Sequence, residues 1–81
     1  MELKDTIKLM QSDSYVDRFK AEYYQLAIRV DKLEIMLENY KAGTLQFTPE
    51  CSYELLHTQL VHMYDYKNIL ETRAVLENIN L

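Results

Sequence analysis

Residues that form turns or cross-links are scarce in this chain of 81 residues, which has one Gly, one Pro, one Cys and no Trp. Gly and Pro together make up about 12% of an average protein, so few turns and long helices are expected. The single cysteine, Cys51, excludes an internal disulfide and suits a reducing compartment. A chain this short buries a modest core, which favours stabilisation through association.

Motifs for chemistry are also lacking. His57 and His62 are five residues apart, and that spacing does not align two metal ligands on a helix as a spacing of four does. A single glycine leaves no glycine-rich loop to hold phosphate. We therefore predict a protein that is not an enzyme and has no catalytic residues, metal ion or cofactor.

Membrane and duplex-binding features are missing too. No apolar run is long enough to span a bilayer, and residues 1–11 mix charged with apolar side chains, unlike a signal peptide. The formal net charge of −4 disfavours binding to duplex nucleic acid through phosphates. We expect one domain, residues 1–81, that acts in the cytoplasm with neither a membrane nor duplex nucleic acid as partner.

Three helices are predicted, over about residues 2–10, 14–42 and 51–77. The second carries apolar residues with alternating spacings of three and four, a heptad pattern that continues for more than three repeats. The third has similar spacing, with Lys67 in one slot and Tyr66 expected to fill the gap. The heptad positions of the two helices are Val16, Phe19, Tyr23, Leu26, Val30, Leu33, Leu37, Tyr40, Tyr53, Leu56, Leu60, Met63, Leu70 and Ala74.

The connection between the long helices spans residues 43–51. Gly43 is a typical helix stop, Phe47 is expected to fold back onto the helices, and Thr48 with Pro49 resembles a helix start. Two helices joined by a short loop pack antiparallel. The predicted fold is all-α, a short N-terminal helix followed by a long antiparallel helical hairpin.

A second apolar stripe runs along the side of helix 2 opposite the heptad positions: Ala21, Tyr24, Ile28 and Ile35. Helix 3 has a weaker stripe of Leu55, His62, Ile69 and Leu76 at seven-residue spacing. Either the short first helix covers part of this surface or hairpins associate through it. About nine residues span only about 14 Å, which is too short for both stripes. Association into a helical-bundle homo-oligomer is therefore the preferred interpretation.

Basic and tyrosine side chains alternate near the start of helix 2. Arg18, Lys20 and Arg29 are interspersed with Tyr15 and Tyr24; such residues pair with phosphate and stack on bases. The alternative is ordinary helix surface, with Arg18 and Lys20 in ion pairs along the helix. If the segment binds an anion, Arg18 and Arg29 are about 16 Å apart along the axis, so the site is expected to lie between subunits.

A set of residues spread over nearly the whole chain forms a recognisable family motif: Asp13, Arg18-Phe19-Lys20-Ala21-Glu22-Tyr23, Gln25-Leu26, Ile28-Arg29, Leu45, Phe47, Cys51, Leu55-Leu56, Gln59-Leu60, Met63, Ile69-Leu70-Glu71 and Arg73-Ala74. In these residues the chain resembles a family of small phage and prophage proteins named after a crAss-like phage open reading frame. Two departures stand out: Ser52 replaces an expected proline, which would change the start of helix 3, and the end lacks an expected glycine, which would let the last turn extend.

That resemblance implies a phage accessory protein of the bacterial cytoplasm, with a counter-defence role. A short helix followed by a hairpin is also similar in architecture to phage sponge proteins, which oligomerise and sequester cyclic nucleotides. The first hypothesis is therefore a homo-oligomer that sequesters an anionic nucleotide signal. The alternatives are a protein–protein inhibitor of a host defence protein, similar to an anti-CRISPR protein, and a structural or regulatory phage component.

Overall fold

The computed structural model describes all 81 residues and contains helices and loops but no strand. A 3₁₀ turn, Leu3–Thr6, leads into one α-helical turn, α1 (Ile7–Met10), and two long helices follow, α2 (Tyr15–Ala42) and α3 (Tyr53–Leu76). The helices α2 and α3 run antiparallel, because a residue at the start of α2, Tyr15, is bonded to Glu77 just after α3. The predicted all-helical class is confirmed. No helix combines the length and the apolar character needed to cross a membrane.

Local capping chemistry sets the ends of α2. Ser14 is its N-cap, and the Ser14 side chain accepts a hydrogen bond from the backbone N–H of Asp17. At the other end Gly43 has φ = 76°, the left-handed conformation, which costs glycine little and other residues more. The N–H of Thr44 then donates to the carbonyl of Asn39 over 2.9 Å, which satisfies a carbonyl that the helix leaves free.

Helix α3 begins later than predicted. Its N-cap is Ser52, whose side chain accepts a hydrogen bond from the N–H of Leu55 at 3.1 Å. The predicted start at about residue 51 is two residues early. The resemblance of Thr48 and Pro49 to a helix start is misleading, since both lie in the loop before the cap. The serine that replaces an expected proline is thus the residue that fixes where α3 starts.

The end of α3 is sharp although it has no glycine. Asn78 adopts φ = 56°, and asparagine is the residue that most often substitutes for glycine in this conformation. The N–H of Ile79 donates to the carbonyl of Ala74 over 2.8 Å, and the Ile79 side chain is buried. The expected extension of the last turn does not occur.

The core lies between α2 and α3, where the heptad pattern predicts it. Leu33 and Leu56 are half-buried and pack against this core. Val16, in the first turn of α2, is exposed instead of buried. The buried apolar residues are Phe19, Leu26, Val30, Leu37, Leu60, Leu70, Ala74 and Ile79.

Two smaller predictions about packing are wrong. Tyr66 does not fill the gap at Lys67; its ring is largely exposed and its hydroxyl donates to the carboxylate of Glu22. Lys67 is half-buried, with its ammonium 5.8 Å from the centre of the Tyr64 ring. Phe47 does not fold back onto the helices and is exposed in the loop.

Residues 3–10, here called the N-terminal segment, pack against α2. Thr6 is almost fully buried, its hydroxyl donates to the Leu3 carbonyl over 2.7 Å, and it accepts a hydrogen bond from the Gln25 amide at 2.9 Å. Ala21, one turn before Gln25, is buried as well. The segment thus covers the first part of the apolar stripe on α2, while Ile35 near the other end stays 57% exposed.

Candidate ligand-binding surface

Tyr15, predicted as a base-stacking residue, is held at the open end of the hairpin. Its hydroxyl donates to Glu77 over 2.6 Å and accepts a hydrogen bond from Arg73 at 3.0 Å. The hydrogen bond to Glu77 raises the pKa of the Tyr15 hydroxyl, and the same bond lowers the pKa of the Glu77 carboxyl. The guanidinium of Arg73 also lies 5.0 Å from the centre of the Phe19 ring. These contacts join the start of α2 to the end of α3.

Arg18 has a local role in this structure. Its guanidinium donates to the backbone carbonyl of Ser12 over 2.9 Å, in the turn that precedes α2. The ion pair with Glu22 that the spacing suggested is not formed, since Glu22 accepts the hydroxyl of Tyr66. Arg18 remains exposed, so part of its fork of N–H donors faces solvent.

Lys20, Tyr24 and Arg29 do not come together on one protomer. A helix turns by about 100° per residue, so Arg29 shares a side of α2 with Arg18, whereas Lys20 and Tyr24 lie on the opposite side. The Tyr24 ring is half-buried and packs edge-on against Tyr23 at 5.8 Å. The five predicted ligand residues therefore form two separate groups. The only ion pairs present are Lys4 with Glu2 and Arg73 with Glu77, so neither Lys20 nor Arg29 is paired with a carboxylate.

The predicted interface residues differ in accessibility. Ala21 is covered by the N-terminal segment, Tyr24 and Ile28 are half-buried, and Ile35 is exposed. On α3 the weaker stripe is more open: Leu55 and Ile69 are each more than half exposed, and Leu76 is 77% exposed. The larger uncovered apolar surface is thus on α3 and not on α2.

Tyrosine–glutamate pairs across the hairpin use four of the seven tyrosines, and the sequence pattern does not predict them. Tyr23 donates to Glu71 over 2.6 Å, and burial together with this bond raises the pKa of Tyr23 to about 12. Tyr64 donates to Glu34 over 2.5 Å, and that bond is the main reason why the pKa of Tyr64 is raised. The heptad pattern gives the register of the two helices only roughly, and finding these pairs requires the exact register.

An open groove of about 450 Å³ lies near the loop, between the end of α2 and the start of α3. The rings of Tyr53 and His57 stack along it with centroids 5.9 Å apart. The spacing of four residues, which is visible in the sequence, predicts that Tyr53 and His57 lie on the same side of α3. Glu34 and Glu38 also line the groove, and their negative charge opposes binding of a phosphate there. No group of three His, Cys, Asp or Glu side chains is placed to hold a metal ion.

Comparison with known proteins places the hairpin in a family. The family model described as Sequestin matches residues 13–76, which is most of the chain and includes α2, the loop and α3. No curated protein and no solved structure matches. The matched region begins after the N-terminal segment.

Proposed function

The chain belongs to the Sequestin family, and from that premise we propose that it is a non-enzymatic phage accessory protein that sequesters an anionic nucleotide signal as a homo-oligomer. The family description denotes sequestration, which is a binding function and requires no catalytic group. The resemblance to small phage and prophage proteins supports a role in the bacterial cytoplasm against host defence.

The observation that carries the ligand class is that Lys20 and Arg29, two of the cations of α2, have no carboxylate partner. Lys20 and Arg29 lie on opposite sides of α2 in a chain with a net charge of −4. Arginine binds phosphate with two parallel hydrogen bonds, and an Arg without an ion-pair partner retains its donors for a ligand. Because the cations are separated on one protomer, the ligand site is expected to need more than one copy of the chain.

Ligand binding is tested by calorimetry and thermal shift against cyclic dinucleotides, cyclic trinucleotides and cyclic ADP-ribose variants. Sequestration of a signal requires tight binding, and we expect at least one of these compounds to bind with a Kd below about 10 μM, roughly −7 kcal/mol. Such a ligand also raises the melting temperature by mass action. Arg29→Gln should weaken binding, whereas Lys41→Gln, which removes another exposed cation of α2 about 18 Å further along the axis, should not.

A protein–protein inhibitor is the second candidate, because Ile35 is exposed on α2 in line with the half-buried Ile28. Exposed apolar surface of this kind often marks a protein interface. If wild-type protein binds none of the nucleotides below about 10 μM, the nucleotide proposal is abandoned and the inhibitor becomes the preferred function.

A further inference from the structure

The uncovered side of α3 is defined by Leu55, His62, Tyr66, Ile69 and Leu76, and it is called the α3 face below. All five residues are exposed. Between Glu54 and Glu77 the exposed Asp, Glu, Lys and Arg residues of this helix are Asp65 and Arg73. The charge of Arg73 is balanced by its ion pair with Glu77. Low charge on an exposed apolar helix side is typical of the buried centre of a protein interface.

No other part of the chain covers the α3 face. The N-terminal segment packs on α2, and the residue after the last turn of α3, Ile79, is already buried in the core. The hairpin is 43 Å long and 24 Å wide, so a partner that lies along its whole broad side, and not on α3 alone, has room for the roughly 800 Å² per partner of a standard stable interface.

We propose that a second copy of this chain packs antiparallel on the α3 face. Four of its residues repeat at constant seven-residue spacing from Leu55 to Leu76, so the spacing of the stripe is unchanged when the helix is reversed, with leucine at both ends. An antiparallel copy therefore places Leu55 against the partner's Leu76, and His62 against the partner's Ile69. A two-fold interface requires this kind of self-complementary surface.

The pairing also completes an anion site, which is the part of the inference that rests on the proposed function. The bond from Tyr66 to Glu22 puts these residues on the same side of the hairpin, and Arg29, two helical turns after Glu22, shares that side. Arg29 lies between Glu22, which is bonded to Tyr66, and Glu34, which is bonded to Tyr64. It is therefore level with the midpoint of the α3 face.

The two-fold axis of the pair passes through that midpoint, so Arg29 and the partner's Arg29 meet beside it. Two guanidinium groups repel each other unless an anion lies between them. An anionic ligand with two phosphates would bridge them and would bind the dimer more tightly than the monomer. One protomer alone provides only half of this site.

The interface is tested with two matched variants of α3, Ile69→Glu on the α3 face and Val75→Glu on another side of the helix, where the side chain is 77% exposed. Light scattering after gel filtration should find a dimer for wild type and Val75→Glu and a monomer for Ile69→Glu. A dimer dissociation constant raised by about thirtyfold or more is the effect expected at the centre of an interface. Wild-type monomer at about 100 μM, a concentration at which even a weak dimer forms, or an unchanged Ile69→Glu dimer, would overturn the proposal.

A cross-linking variant keeps the test decisive if Ile69→Glu fails to fold. In a Cys51→Ser background, His62→Cys combined with Ile69→Cys should give a covalent dimer on oxidation. The two new thiols are about 10 Å apart within one chain, beyond disulfide reach. His62→Cys with Val75→Cys is the control. Equal cross-linking of both pairs would contradict the antiparallel register.

The shared anion site has its own measurement, with inorganic pyrophosphate as the probe. Pyrophosphate should strengthen wild-type dimerisation by about tenfold, an increment typical of one coupling between sites, and should have no effect on Arg29→Gln. Lys41→Gln, whose cation lies about 18 Å from Arg29 along α2, should respond as wild type does. An equal response of all three proteins would refute the site. Failure of every nucleotide in the panel would instead refute the proposed function and leave the dimer and pyrophosphate results standing.

Discussion

Hydrogen bonds from tyrosine side chains are the main polar contacts that join α2 to α3 outside the apolar core. Four tyrosine hydroxyls, those of Tyr15, Tyr23, Tyr64 and Tyr66, each donate to a glutamate on the facing helix or at its end. A tyrosine places an apolar ring over the core edge and a polar group at its rim. The acidic residues that gave the chain its negative charge are therefore in part structural acceptors.

Tyr23→Phe is the sharpest test of these pairs. Removal of the hydroxyl leaves the Glu71 carboxylate without its donor, and we expect a loss of about 1 kcal/mol of unfolding free energy at neutral pH. Urea unfolding followed by circular dichroism measures it. Tyr40→Phe is the control, since Tyr40 packs edge-on against Tyr53 but its hydroxyl makes no hydrogen bond in the structure.

The raised pKa of Tyr23 also predicts how the free energy of unfolding of the same variant changes at high pH. Tyr23 has a pKa of about 12 in the folded chain against 10.0 in the unfolded chain, so its contribution is complete below pH 10 and is lost as the pH rises toward 12. The variant lacks this titration, and its unfolding free energy should fall less steeply over that range. An equally steep fall in Tyr23→Phe would show that the raised pKa does not stabilise the fold.

At the scale of the element, capping residues decide where the long helices begin and end. The heptad pattern predicts both helices but not their first and last turns. There the boundary is set by backbone hydrogen bonds and not by core packing. Thr48 and Pro49 resemble a helix start in the sequence, although in the structure they lie in the loop before α3. Ser52 is followed three residues later by Leu55 and not by Glu or Gln, so the usual capping-box signature is missing from the sequence.

Ser52→Ala should destabilise the protein by about 1 kcal/mol, the usual effect of losing an N-cap side chain. Chemical denaturation with a circular dichroism readout gives the number. Ser52→Asp supplies an alternative acceptor for the Leu55 N–H and should retain nearly all of the stability. If Ser52→Ala equals wild type while Ser52→Asp loses stability, α3 is not capped at this residue.

For the whole molecule, the fold follows from the sequence far more than the candidate site does. Helices and core depend on periodicity, which one chain displays directly. Lys20 and Arg29 lie on opposite sides of α2, and the accessibility of each side depends on which other parts of the chain pack against it. The capture of Arg18 by the Ser12 carbonyl depends on a turn whose shape no pattern specifies. The apolar stripe on α2 is compatible both with docking of residues 3–10 and with association of hairpins, and the sequence pattern alone does not separate the two.

That docking depends on one buried hydroxyl and can be tested there. Thr6→Val keeps the shape of the side chain but removes the acceptor of the Gln25 amide and the donor to Leu3, and we expect it to cost about 1–3 kcal/mol. Thr58→Val is the matched control, because Thr58 is exposed and donates only within its own helix. Thermal unfolding of the two variants side by side is the measurement. Equal stabilities would mean that the segment contributes little to the fold.

The four tyrosine–glutamate pairs also imply an order of assembly. Their partners are separated by 30 residues for Tyr64–Glu34, 44 for Tyr66–Glu22, 48 for Tyr23–Glu71 and 62 for Tyr15–Glu77. The entropy lost on closing a loop grows with its length, so the pair nearest the loop closes at the lowest cost and each later pair closes on a hairpin already shortened by the one before. We therefore expect the hairpin to form first near the loop and last at its open end, and unfolding to start at Tyr15 and Glu77. Amide exchange under native conditions should accordingly be fastest at that open end and slowest around Val30 and Leu60.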